Sequence, residues 1–430
     1  MKRTITMMLT FCLFAFSAFG QEWGWVGGLS ERADTLMTGG HGVAVDPDGK
    51  IWYTSYYPAE TVMVDTGTGT ADDAQSVRAI YVFNPDGSEV AYSPITTITV
   101  AGEIDTMWNS SRGLRKDNIG NIVYASYWEL YMLNYLNGEG MKTMLPADSA
   151  SLTAPAFTSD GEMIVGYVAP SVGVDIYADD WSHLDKAIPA DLASSYSRTI
   201  EVAKDGSAIY RAAYSSGYGF VRWNSSDGSI YGDFTGSSDT LAVGLQNEST
   251  AWQPGTGYLW GGSKGSLGWT GAAHYAFDPA SDFALVDSIV IPDRTAAGAL
   301  PRGIDFSPDG NTAYIVFYDF GEIPVYKFIK GATGTWEHTG TFISGYALNA
   351  NYPNPFNPST KLDVVMKDGG VADLRIYDMR GAEVAVLNSN YLSAGEHTFT
   401  FNAADFAAGV YIAKFTANGA MYTQTMTLVK

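Results

Sequence analysis

One phrase, strand–turn–strand, recurs along this chain and constrains its fold more than any other feature. It is clearest from His41 to Ser55, HGVAVDPDGKIWYTS, where apolar positions alternate up to Val45. The turn Asp46-Pro47-Asp48-Gly49 then interrupts them, and Ile51-Trp52-Tyr53-Thr54 resumes the run. Pro pre-sets the φ of such a turn and Gly accepts a positive φ, so the segment predicts a β-hairpin. Related phrases begin at Arg112 (RGLRKDNIGNIVYAS), Ala154 (APAFTSDGEMIVGYV), Arg198 (RTIEVAKDGSAIYRAAY), Thr250 (TAWQPGTGYLWGGS) and Arg302 (RGIDFSPDGNTAYIVFY).

Most copies are followed by a third β-prone run, such as IYVFNPDG, FVRWNSSDG or HYAFDPASD, and a fourth, such as ITTITV or LVDSIVI. Four short strands repeating every ~40–50 residues describe the blade of a β-propeller, a sheet that buries both faces only by stacking on its neighbours. Six blades are counted, and the degenerate stretches leave room for a seventh. Glu22–Val26 is expected to be a strand closing the ring against the last blade, whose fourth strand is expected near Thr339 to Ile343.

The first 20 residues read as an export signal. Lys2 and Arg3 precede an apolar stretch from Met7 to Phe16, and Ala18-Phe19-Gly20 offers a small-x-small cleavage site. The apolar run falls short of the ~20 residues that span a bilayer, so no transmembrane segment is expected. The single cysteine, Cys12, lies inside that signal, leaving a mature chain without disulfides or thiolate metal ligands. A formal charge of −21 repels phosphate backbones and argues against a nucleic-acid partner.

Composition changes after about Ser344. Residues 21–344 form the expected propeller, 345–359 a Pro/Asn-rich linker, and 360–430 a small all-β sandwich of alternating strands. The linker sequence NYPNPFNP, from Asn351, Tyr352, Pro353, Asn354, Pro355, Phe356, Asn357 and Pro358, is followed by RIYDMRGAEV and later by Gly409, Val410 and Tyr411 of GVYIAKF. With these motifs the segment from Tyr346 to Lys430 closely resembles the type A C-terminal sorting domain of the bacterial type IX secretion system. The resemblance implies an immunoglobulin-like sandwich read by the outer-membrane secretion machinery. It also implies passage through the periplasm to a secreted or surface-attached state.

More loosely, GVAVDPDGKIWYTS and RGIDFSPDGNTAYIV resemble the secreted propellers of the NHL and SMP-30-like superfamily. That likeness implies a fold and leaves the ligand open.

Blade topology places the starts of the inner strands, His41, Arg112, Arg198 and Arg302, at one mouth of the central channel. The loops after the second strands arrive at the same mouth with Tyr56-Tyr57, Tyr127-Trp128, Tyr214 with Tyr218, Trp269, and Tyr318 with Phe320; of these, Tyr57, Trp128, Tyr218, Trp269 and Tyr318 are taken as ligand contacts. Cations ringed by aromatics suit a small anion, a glycan or a surface protein, because guanidinium forks grip carboxylates and flat rings stack on sugars. The same arginines could instead tie neighbouring blades together. Two alternatives stand beside the binding module. One is a metal-dependent lactonase, as the SMP-30 likeness implies, with Glu248 and Asp305 as the available channel acids. The other is an adhesive surface protein that uses the propeller rim. No catalytic residues are assigned, since His183, His274, His338 and His397 fall in unrelated contexts and no serine lies in a GxSxG elbow. Asp65, Asp72 and Asp73, on a Gly/Thr-rich loop, are a candidate calcium site.

Overall fold

The computed structural model describes residues 23–430 apart from 31–35, 37–38, 65–72, 194, 216, 235–237, 265–268, 292–299, 319–323, 333–346, 350, 367–369, 381, 393–394 and 418–419. Contacts divide the chain into two compact units, one containing residues 40–318 and the other residues 347–430.

Six antiparallel sheets build the first unit, a six-bladed β-propeller. Their inner strands are Gly40–Val45, Gly113–Lys116, Ala156–Phe157, Ser197–Val202, Thr250–Trp252 and Pro301–Phe306. Each pairs with the strand that follows its turn: Val45 lies opposite Ile51, Lys116 opposite Ile122, and Phe306 opposite Ala313. Asp46 shows why the turns recur. Its side chain accepts from the backbone N–H of Asp48 and Lys50 at 3.0 and 2.9 Å, and from Trp52 Nε1 at 3.0 Å. Gln253 takes the same place in the fifth sheet, accepting from Trp260 Nε1 at 3.1 Å.

The ring closes through the N-terminal strand Trp23–Gly28, which pairs with Val325–Lys330 as the outer strand of the sixth sheet. That position was expected near Thr339 to Ile343, which lie outside the described residues. Trp23 is buried, packs edge-on to Trp260 at 5.7 Å and donates to Asp287 Oδ2 at 2.9 Å. The first sheet departs from the repeat. Between its second and third strands it carries a hairpin, Glu60–Val64 with Asp73–Val77. The run ITTITV does not become its fourth strand. Only Ile95 bridges to Ile80, and Thr97–Val100 turns back on Glu103–Thr106 as a separate hairpin.

Inner strands approach so closely that side chains are nearly excluded from one row. A Cβ on Gly42, whose φ is +107°, would stand 2.5 Å from Gly113 Cα. A Cβ on Gly113, at φ +131°, would stand 2.8 Å from Ala154 Cβ. Glycine meets both demands, the left-handed backbone and the close approach.

The second unit packs the sheet Ala347–Leu348, Ser359–Met366 and Gly395–Asn402 with a four-stranded sheet in the order Glu383–Leu392, Gly370–Asp378, Gly409–Ala417 and Ala420–Leu428. Its core holds Leu362, Val364, Leu374, Ile376, Phe401, Phe415 and Met426. Residues 351–358, expected as linker, are docked on this sandwich. Phe356 is buried in the core and its backbone bonds Thr427 and Val429, while Asn354 Oδ1 accepts from Thr427 N at 2.9 Å. Tyr352, by contrast, is 81% exposed. Among the described residues no helix is long and apolar enough to cross a membrane.

Candidate functional site

Strand register aligns the six inner strands, and the residue four places before each turn-proximal position is His41, Arg112, Thr153, Arg198, Glu248 or Arg302. The four cationic or imidazole residues expected at one channel mouth therefore occupy one homologous ring. Burial pushes the His41 imidazole well below its ordinary value, and the fields of Arg302, Arg198 and Arg112 push it further, so it stays neutral. Neither of its ring nitrogens has a hydrogen-bond partner among the described residues.

Each arginine lies on a tyrosine. Arg112 is 4.5 Å from the ring centroid of Tyr127, Arg198 is 5.0 Å from Tyr214, and Arg302 is 4.4 Å from Tyr318. Their other partners differ. Arg112 is held by Ser151 Oγ at 2.7 Å, Ser110 Oγ at 2.8 Å and the Ser111 carbonyl at 3.1 Å. Arg302 is ion-paired with Glu248, which Lys264 also reaches at 2.9 Å. The Arg198 guanidinium has no hydrogen bond and no ion pair among the described residues, and its Nε is buried. Burial lowers the pKa of Arg112 and of Arg302, and Arg198 adds like-charge repulsion to both. Burial alone would raise the Tyr56 phenol, yet a hydrogen bond with Tyr318 and the three arginines bring it below its ordinary value.

One turn of side chains deeper the charges are matched. Arg115 Nη2 lies 2.8 Å from Glu201 Oε1 and donates to Thr199 Oγ1 at 2.6 Å and the Thr250 carbonyl at 2.7 Å. Lys116 lies 2.7 Å from Asp305, whose Oδ2 also accepts from Val45 N at 2.8 Å. Among the described residues the mouth keeps a positive excess: Arg302 and Lys264 share the carboxylate of Glu248, and Arg112 and Arg198 have no ion pair, on a chain of formal charge −21.

Of the aromatics expected at this mouth, Tyr56, Tyr57 and Tyr318 arrive as one cluster. Trp128 is half exposed and meets Tyr127 edge-on at 4.9 Å, so its neighbour, not Trp128, carries the arginine. Tyr218 packs into the core between the third and fourth sheets. Trp269 is committed to the fifth sheet, against Tyr275 at 4.9 Å, with its indole N–H on the Val243 carbonyl at 3.0 Å. Arg115, Glu201 and Lys264 were not anticipated. The first two were readable as R-x-x-R and R-x-x-E, since the third residue after each ring arginine returns to the channel, whereas Lys264 carries no sequence signal.

The channel acids do not fit a divalent cation. Glu248, Glu201 and Asp305 are each engaged by an ammonium or guanidinium group, whereas a metal site needs several convergent oxygen ligands free of competing cations. Among the described residues no group of three or more His, Cys, Asp or Glu converges. Of the candidate calcium loop, Asp65 and Asp72 lie outside the described residues, and Asp73 begins the strand Asp73–Val77. One serine–histidine contact does exist, Ser249 Oγ to His274 Nε2 at 2.8 Å. Burial pushes His274 down to about 3 and leaves its Nδ1 without a partner among the described residues, which makes it a weak proton acceptor.

No curated protein matches this chain. Among solved structures, the calcium-binding protein regucalcin of Agrobacterium tumefaciens is similar at 12% identity, with 72% of this chain and 96% of that one covered and a TM-score of 0.45. A gluconolactonase of Xanthomonas campestris is similar at 12% identity, with 69% and 87% covered and a TM-score of 0.42. The Pan2 WD40 domain of Neurospora crassa is similar at 10% identity, with 73% and 97% covered and a TM-score of 0.44. Likenesses this distant assign no activity. Residues 350–429 match the family described as the secretion system C-terminal sorting domain. The C-terminal unit thus carries the type IX sorting signature, which addresses the protein for export, either secreted or held at the outer-membrane surface.

Proposed function

We propose that the propeller is a binding module for a carboxylate- or phosphate-bearing ligand, captured at the channel mouth and presented outside the cell. The observation that carries this reading is Arg198. It is a half-buried guanidinium between two like charges, stacked on Tyr214, with no ion pair among the described residues. A buried cation without a counter-charge is costly, and a bound anion would relieve that cost while gaining charge-assisted hydrogen bonds worth about 1.5–3 kcal/mol each. A metal-dependent lactonase is disfavoured because its oxygen ligands would first have to leave Arg302, Lys264, Arg115 and Lys116.

Calorimetric titration of the full mature chain with glutarate and citrate tests the reading. Saturable binding is expected, weakened by salt and reduced roughly tenfold or more in Arg198→Ala. Absence of binding to either acid, or binding indifferent to Arg198→Ala, would overturn it.

A further inference from the structure

Resting on that reading, we infer that the ligand is an acidic sugar, such as a uronate residue of a glycan, held by its carboxylate at the arginines and by its ring on the rim aromatics. The space between the arginines, lined in part by Arg112, Arg198, Glu248 and Arg302, is about 10 Å³, room for roughly one water. A ligand body cannot enter it. Only an acidic group can face inward, and the rest of the molecule must lie outside, over whatever the rim presents.

The rim presents exposed aromatic rings beside the arginines. Next to Arg112, Tyr127 is 37% exposed and Trp128 is 50% exposed. Trp108, 43% exposed, lies on the segment that leads into Arg112, its carbonyl bonded by Arg78, which also bonds the Tyr56 carbonyl at 2.8 Å. Beside Arg198, Tyr196 is 48% exposed and lies 5.8 Å from Tyr214. Exposed indoles and phenols offer a flat apolar face with a polar edge, which matches the C–H face and hydroxyl rim of a pyranose. With such rings on two sides of the arginines, more than one sugar unit can be engaged, so an acidic oligosaccharide fits better than a monosaccharide.

The test titrates the full mature chain with digalacturonate, glutarate, benzoate and glucose, following heat and tryptophan fluorescence. Digalacturonate is expected to bind roughly tenfold tighter than glutarate or benzoate, with quenching, and glucose not to bind. Trp128→Ala, exposed and so tolerated by the fold, is expected to weaken digalacturonate about fivefold and leave glutarate unchanged. Equal affinity for glutarate and digalacturonate, tighter binding of benzoate, or a Trp128→Ala variant without effect would overturn the sugar assignment and leave the anion site standing. Failure of every acid to bind would overturn both.

Discussion

Arg115 of the second inner strand and Glu201 of the fourth meet across the channel, Nη2 to Oε1 at 2.8 Å, although their sheets are not neighbours. This ion pair neutralises the layer beneath the mouth, as Lys116 with Asp305 does for the layer below it. Among the described residues the positive excess therefore sits at the mouth, on Arg112, Arg198, Arg302 and Lys264.

Truncating the two kinds of arginine should have opposite consequences. Arg115→Ala leaves Glu201 buried without its cation and is expected to cost about 3–5 kcal/mol. Arg198→Ala removes one stacking contact and also two repulsions, so stability should change by less than about 1 kcal/mol. Urea unfolding of both variants checks the contrast, and equal losses would contradict it.

Histidine burial sets an acid limit. The folded values of His41 and His274 lie below the ordinary 6.5, so the unfolded chain binds more protons once the pH falls beneath that value. Their contribution is intact above 6.5 and drains away as the pH falls toward the folded values, by up to about 1.4 kcal/mol per pH unit for each ring. His274→Asn should flatten the stability profile between pH 6 and 4, in roughly that proportion. A slope unchanged by the substitution would show that His274 is already charged in the folded state.

Ring closure depends on Trp23, whose partner strand lies about 300 residues away in sequence. Trp23→Ala deletes a fully buried indole, its contact with Trp260 and its bond to Asp287, at an expected cost of about 3–5 kcal/mol. Chemical denaturation reads the loss, and a cost below about 1 kcal/mol would mean that the ring holds without its clasp.

Much of this architecture is legible in the sequence because each blade repeats the same local chemistry. Asp46, Asp117 and Ser307 mark the turns, and His41, Arg112, Arg198 and Arg302 sit at a fixed distance before them. The closing strand around Trp23 is readable from its aromatic alternation. What is not legible depends on contacts between blades. The pairs Tyr127-Trp128 and Tyr214 with Tyr218 are readable at the mouth, but not that Tyr127 and Tyr214 carry the arginines while Trp128 faces outward and Tyr218 joins a core. Lys264 reaches Glu248 from a loop with no pattern, and Trp269 is claimed by Tyr275. The docked NYPNPFNP segment looks like a linker because Pro and Asn dominate it, yet one residue, Phe356, anchors it in the sandwich core.

For the second unit, Phe356→Ala is expected to destabilise the sandwich by about 3–5 kcal/mol, and Tyr352→Ala, exposed, by less than about 0.5 kcal/mol. Deleting residues 347–430 should abolish export and leave the propeller in the periplasm. Fractionation with an antibody to the propeller checks this, and undiminished release of the truncated chain would contradict the sorting role.

The most direct test of the anion site is the side-chain ¹H–¹⁵N spectrum of the arginines, recorded while glutarate is added to the full mature chain. The Arg198 Nε–H, which donates to no group among the described residues, is expected to shift and saturate with the calorimetric affinity, while Arg115 stays in place. Arg198 unmoved, or all arginines drifting together as they do with added chloride, would contradict an anion site at the channel mouth.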